Sequence, residues 1–233
     1  MPRQARQCPG GYAYHVWNRA AGRLRLFKKP EDYQAFGRIL LEAHQRHPID
    51  LLDWCLMPNH WHFVVYPKRD DDVTQFFRWL THTHAMRSIT HRSVIGLGPL
   101  YQGRFKSLPV QRDEHLLALL RYVEQNPVRA GLVKRASLWR WSGMSARRSG
   151  PAELAAILSD LPLEGPANWE RWLNEPQDEA EVEALRECVR RSRPLGGAEW
   201  TGRVAAKLDL QWTLRPRGRP RKRRKNGKEL RPL

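Results

Sequence analysis

Ile49-Asp50-Leu51-Leu52-Asp53-Trp54-Cys55-Leu56-Met57 and His60-Trp61-His62-Phe63-Val64-Val65-Tyr66 are two apolar runs joined by Pro58-Asn59. Runs this short, bounded by turn residues, fit strands better than helices, and the tight Met57-Pro58-Asn59 link makes them a hairpin. A period of two then sends His60 and His62 to one face and Trp61, Phe63 and Val65 to the other. Two imidazoles aimed the same way from a rigid element are half of a metal site. Alone, such a pair is more often two hydrogen-bonded or half-exposed histidines with no ligand.

Around the hairpin the order of elements sets the fold. Tyr12 to Trp17 alternates around His15 and Asn18 like a strand, and Leu24 to Phe27 reads as extended after the Ala21-Gly22 turn. Pro30 opens a helix whose apolar face is Tyr33, Phe36, Ile39, Leu40 and Ala43, ending near His47-Pro48. Val73 to about His91 is a second helix, with Phe76, Phe77, Leu80 and Met86; Tyr101 to Leu108 is extended. Asp113 to Gln125 is a third helix, with acids in its first turn, Leu116, Leu119, Leu120 and Val123 at helical spacing, and Pro127 as its stop. The order β-α-β-β-α-β plus a helix predicts an α+β unit over residues 1–147, a ferredoxin-like split βαβ antiparallel sheet large enough to fold alone. On the third helix Tyr122 and Asn126 are four apart and lie one above the other on the flank of the leucine stripe. They are either packing at a helix end or the tyrosine and amide of a site. Trp54, Trp61 and Phe63 fall in alternating apolar runs and read as core, whereas His82, His84 and His91 lack a matching carboxylate pattern and read as surface or core histidines.

Charge narrows the chemistry. The chain of 233 residues carries a formal charge of +17, more than solubility requires, which favours a polyanionic partner. Residues 215–233 hold ten Lys or Arg and one Glu, a net of +9, leaving +8 on the preceding body. The body is therefore basic in its own right. No apolar stretch approaches the roughly twenty residues of a membrane span and no signal pattern opens the chain. Cys8, Cys55 and Cys188 form no CxxC pair, so a reducing, cytoplasmic setting is expected.

Four segments together resemble the REP-associated branch of the single-tyrosine HUH transposases, IS200-like. They are Pro9-Gly10-Gly11-Tyr12-Ala13-Tyr14-His15-Val16, Met57-Pro58-Asn59-His60-Trp61-His62, Tyr101-Gln102-Gly103-Arg104-Phe105-Lys106-Ser107, and Tyr122-Val123-Glu124-Gln125-Asn126-Pro127-Val128-Arg129-Ala130-Gly131. The resemblance runs from about residue 8 to residue 147, in the family's order and spacing. It implies an HUH catalytic domain in which His60, His62 and Asn126 bind a divalent cation and Tyr122 attacks single-stranded DNA; relatives can carry Gln at the third ligand position. The implied partners are single-stranded DNA hairpins of palindromic repeats, with a monomer favoured over the dimer of minimal members.

The chemistry suits those roles. A tyrosine hydroxyl, with an ordinary pKa of about 10, gives up its proton more readily than an aliphatic one, and a covalent phosphotyrosine keeps the strand end activated for rejoining. Two neutral imidazoles and an amide leave a cation doubly charged with open positions, which suits Mg²⁺ or Mn²⁺, whereas structural zinc wants four protein ligands. Arg104 and Lys106, alternating on one strand face, are expected to track phosphates, with Arg19 and Arg129 helping; a solvated basic face is the plainer alternative. Two other functions fit less well. A non-catalytic hairpin-binding relative needs none of His60, His62, Tyr122 and Asn126 at these spacings, and a zinc hydrolase would need a ligand from elsewhere.

After Arg147-Arg148-Ser149-Gly150-Pro151 the pattern changes to short helices over 148–214: Ala152 to Leu158, Asn168 to Leu173, Pro176 to Arg191 and Gly197 to Leu208. Leu195-Gly196-Gly197-Ala198-Glu199-Trp200 resembles the C-terminal extension of the REP-associated branch. Residues 215–233 are expected to be a disordered basic tail that looks like an AT-hook. Gly218 would let Arg217 and Arg219 enter an A·T-rich minor groove with Arg221 beside them; a purely electrostatic polybasic tail is the alternative.

Overall fold

The computed structural model describes residues 7–22, 24–92 and 98–215, so Arg217, Arg219 and Arg221 lie outside the described residues. The elements follow the expected order: β1 (Ala13–Arg19), α1 (Pro30–Arg46), β2 (Asp50–Met57), β3 (His60–Tyr66), α2 (Asp72–Arg92), β4 (Lys106–Val110) and α3 (Glu114–Glu124). The four strands form one sheet in the order β2-β3-β1-β4, and every pairing is antiparallel. That is the split βαβ arrangement, since β3 lies between β1 and β2.

Local chemistry explains the elements. Pro30 fits the first turn of α1, and the Asp32 carboxylate accepts from the Lys28 and Lys29 backbone N–H groups at 2.7 and 3.3 Å. Met57 pairs directly with His60, so Pro58-Asn59 is a two-residue turn. Two expectations change. Leu24 to Phe27 is not a strand: Ala20 N–H donates to Asn59 O and Phe27 N–H to Pro58 O, so the segment straps the hairpin turn and buries Leu26 and Phe27. Tyr101 makes only an isolated bridge to Ala20, and β4 begins at Lys106; Arg104 therefore sits in a bend before the strand.

The sheet has two covered faces. α1 and α2 close one over Trp54, Trp61, Phe63 and Val65, all buried as the alternation predicts. His84 is buried with them and shares a 2.6 Å hydrogen bond with the Tyr101 hydroxyl, while His82 and His91 are exposed. α3 closes the other face over Ala13, Trp17, Cys55, Val64 and Leu108.

The chain after α3 continues as α4 (Asn126–Arg129), α5 (Gly143–Ser149), α6 (Ala152–Ala156), α7 (Trp169–Asn174), α8 (Glu179–Arg191) and α9 (Ala198–Lys207). α5 runs across the expected boundary at 147/148, and Val182, Leu185 and Leu195 join the α3 core. These segments also line the sheet edges. Leu56 N–H donates to Trp141 O and Ser159 N–H to Leu51 O along β2, while Leu195 exchanges backbone bonds with Pro109 and Gln111 beside β4. None of the three cysteines forms a disulfide.

Candidate active site

Directly paired strand residues share a face, and three such rows cross the α3 side of the sheet. They are Asp53–Val64–His15–Leu108, Cys55–His62–Trp17–Lys106, and Met57–His60–Arg19. His60 and His62 thus point to the same face, as the alternation predicts, with ring centroids 4.9 Å apart. Arg19 and Lys106 flank them and are exposed, as is Arg104.

Both histidines are hydrogen-bonded at Nδ1. His60 Nδ1–H donates to Asn59 Oδ1 at 2.7 Å, and His62 Nδ1 shares a 2.8 Å hydrogen bond with His15 Nε2. With Nδ1 engaged on both rings, no hydrogen bond among the described residues falls on either Nε2. Burial, with the Arg19 cation second, lowers His60 to about 4; burial and the neighbouring rings hold His62 well below its ordinary value. Both rings are neutral at physiological pH, the state a metal ion requires. Two neutral imidazoles with free Nε2 atoms therefore fit a divalent cation.

α3 brings Tyr122 to this face. Asp113 caps the helix by accepting from His115 N–H at 3.0 Å, and Leu116, Leu119, Leu120 and Val123 bury its stripe. The expected half-exposed flank is covered: Val182 and Leu185 of α8 pack into the same cluster, leaving Tyr122 only 7% exposed. Burial raises its phenol pKa, partly offset by the Arg129 and Arg186 cations, while Glu183 adds to the rise.

Asn126 and Arg129 differ more from expectation. α3 ends at Glu124, and Pro127, which cannot donate a helical hydrogen bond, enters the first turn of α4, so Asn126 opens α4 and does not continue α3. Its Nδ2 donates to Val123 O at 3.1 Å, and its Oδ1 accepts from the Arg129 guanidinium at 3.2 Å. Arg129 faces inward, not toward solvent. It also donates to Tyr122 O and Gln177 Oε1, lies 4.2 Å from the Tyr122 ring centroid, and has its pKa lowered by burial to about 10.

Two features of the site were not singled out in the sequence. His15 is fully buried with its ring bonded to His62; its places in the alternating β1 run and in the segment 9–16 were the available signals, and neither named a role for it. Asp53 and Glu124 form a buried carboxyl pair between β2 and α3, with Asp53 Oδ1 accepting Trp54 N–H and Glu124 Oε1 accepting Met144 N–H. Burial, and for Asp53 the neighbouring carboxylate, hold the pair's protons above the usual range. A separate group, Asp113, Glu114 and His115, sits at the opposite end of α3, about 12 Å up the helix axis from Tyr122. Its polar atoms cap the helix and bond one another, so it is no part of the His60–His62 centre.

No helix among the described residues is long and apolar enough to cross a membrane. The profile of the family described as transposase, IS200-like, matches residues 10–126. A REP-associated tyrosine transposase of Escherichia coli K12 is 27% identical over 133 residues, spanning 55% of this chain and 76% of that protein. The solved structure of a REP-associated tyrosine transposase bound to a REP hairpin aligns over 77% of this chain and 99% of its own, with a TM-score of 0.51 and 21% identity.

Proposed function

Because the chain belongs to the IS200-like transposase family, we propose that it is a metal-dependent single-strand DNA endonuclease and strand transferase. Its substrates are hairpin-forming palindromic repeats, cut through a 5′-phosphotyrosine link to Tyr122. The observation that carries this reading is the pair of unencumbered Nε2 atoms on the sheet face that α3 covers with Tyr122. Pure hairpin binding needs no such pair.

His60 and His62 would hold Mg²⁺ or Mn²⁺, and Asn126 Oδ1 would complete the set once it parts from Arg129. When bound, the cation withdraws charge from the scissile phosphate. Tyr122 supplies the attacking oxygen, and Arg129 beside its ring favours the phenolate. Arg19 and Lys106, in the strand rows of His60 and His62, and the exposed Arg104 would hold the DNA backbone. Residues 1–147 carry this chemistry, 148–214 cover α3 and the sheet edges, and the basic residues after 214 add non-specific or minor-groove affinity. The substrate class is supported by the E. coli relative and by the hairpin-bound structure, each REP-associated by name. A cytoplasmic protein acting on chromosomal DNA accords with three cysteines outside disulfides.

One observation favours a second reading, a hairpin-binding protein that does not cut: Tyr122 is buried under α8, and Asn126 Oδ1 is occupied. A single assay separates the two. Incubation with single-stranded palindromic repeats and Mn²⁺ should give a protein–DNA adduct stable to denaturing gel electrophoresis, lost in Tyr122→Phe with hairpin affinity nearly unchanged. Hairpin binding by the wild type with no adduct would decide for the second reading.

A further inference from the structure

We propose that His15 is a positioning residue for the metal centre, holding His62 in the one tautomer whose Nε2 lone pair is free to bind a cation; the inference rests on the reading of His60 and His62 as ligands. A neutral imidazole carries one N–H, so one proton lies in the 2.8 Å bond between His62 Nδ1 and His15 Nε2. If His62 donates, its Nε2 keeps a lone pair and can bind metal. If His15 donates, His62 carries its proton on Nε2 and cannot. The role of His15 is therefore to accept.

Accepting leaves the proton of His15 on Nδ1, and that atom is buried with no hydrogen-bond partner. A buried polar atom without a partner is costly, and a core position chosen for packing alone would hold a leucine or phenylalanine. The ring is also fixed. It lies on β1 between buried Tyr14 and Val16, stacked on Trp17 at 4.9 Å and on His62 at 5.0 Å. His60 has the same arrangement from a different partner, since Asn59 Oδ1 takes its Nδ1 proton. Partners of this kind, behind the ligands themselves, commonly change metal affinity by about 10–100-fold.

The test uses the full chain without DNA and the metal alone. Mn²⁺ affinity, read by electron paramagnetic resonance, should fall at least about tenfold in His15→Phe, while Tm changes little, because the unpaired Nδ1 of His15 is exchanged for an unpaired Nδ1 on His62. His15→Gln, whose side-chain oxygen can accept from His62 Nδ1–H, should stay within a few-fold of wild type. In the metal-free wild type, ¹⁵N spectra should show His62 protonated at Nδ1. Unchanged affinity in His15→Phe beside weakened binding in His62→Ala overturns the role of His15 alone, as does a His62 protonated at Nε2. Unchanged affinity in both variants removes the ligand reading together with it.

Discussion

The guanidinium of Arg129 lies over the ring of Tyr122, 4.2 Å from its centroid, and bonds Asn126 Oδ1 with the same group. One cation thus faces both the proposed nucleophile and the proposed third ligand. Its charge lowers a phenol pKa that burial raises. Arg129→Met, which keeps bulk without charge, should therefore raise the Tyr122 pKa, visible by NMR of ring-labelled tyrosine. Adduct formation at neutral pH should fall several-fold, because less of the phenol is ionised. An unchanged phenol titration would show that the cation does not act on Tyr122.

The histidines give stability a definite pH dependence. Burial lowers His15 to about 3 and, with Arg19 second, His60 to about 4, against an ordinary 6.5. Below 6.5 the unfolded chain takes up protons that the folded one refuses, so stability is full above 6.5 and falls as pH drops toward those values. Each such histidine costs about 1.4 kcal/mol per pH unit in that window. Tm should fall steadily from pH 6.5 to 4. Mn²⁺ affinity, by contrast, should hold to about pH 5, because His60 and His62 stay neutral there.

The hairpin was legible from two short apolar runs bounded by Pro58-Asn59, and the shared face of His60 and His62 from the period of two in β3; the bulge between Leu51 and Asp53 in β2 left no mark in the pattern. The helices after residue 150 were legible from their own periodicity within a few residues. What covers what was not. Val182 and Leu185 mark an apolar stripe on α8, but nothing in their spacing names Tyr122 as the surface they bury. Arg129 was expected to help Arg104 and Lys106 track phosphates; its guanidinium is instead taken up by Tyr122 O, Asn126 Oδ1 and Gln177 Oε1, acceptors that sequence spacing does not reveal. Pro127 signalled the end of α3 but not that a new turn begins at Asn126, with only Gln125 between.

The Asp53–Glu124 pair acts on stability with the opposite sign. Its protons are held above the ordinary carboxylate range, so its contribution is full at acid pH and is lost as pH rises through that range. Glu124→Gln keeps an acceptor for Met144 N–H, gives Asp53 a donor and removes one titrating group. At pH 8 the variant should be more stable by about 1 kcal/mol, or roughly 3 °C in Tm at this chain length, with the gain vanishing near pH 4.5. A loss of stability at pH 8 would show the pair to be held by contacts other than a shared proton.

Both edges of the sheet are occupied by the chain's own later segments, Trp141 and Ser159 along β2 and Leu195 along β4. Segments of its own chain on both edges hinder edge-to-edge pairing with a second copy, so the protein should scatter light in solution as a monomer of 27.3 kDa. The β4 strap depends on Gly196, where an added Cβ would stand 2.5 Å from the Trp200 ring and 2.6 Å from Gln111 Oε1. Gln111 Oε1 cannot withdraw without losing the hydrogen bond it accepts from Gly197 N–H at 2.9 Å. Gly196→Ala should therefore cost about 1–3 kcal/mol by overpacking. It should also speed amide exchange at Gln111 and Leu195 while leaving the β2–β3 hairpin protected. Equal protection of Leu195 in the two proteins would mean that the strap does not depend on that glycine.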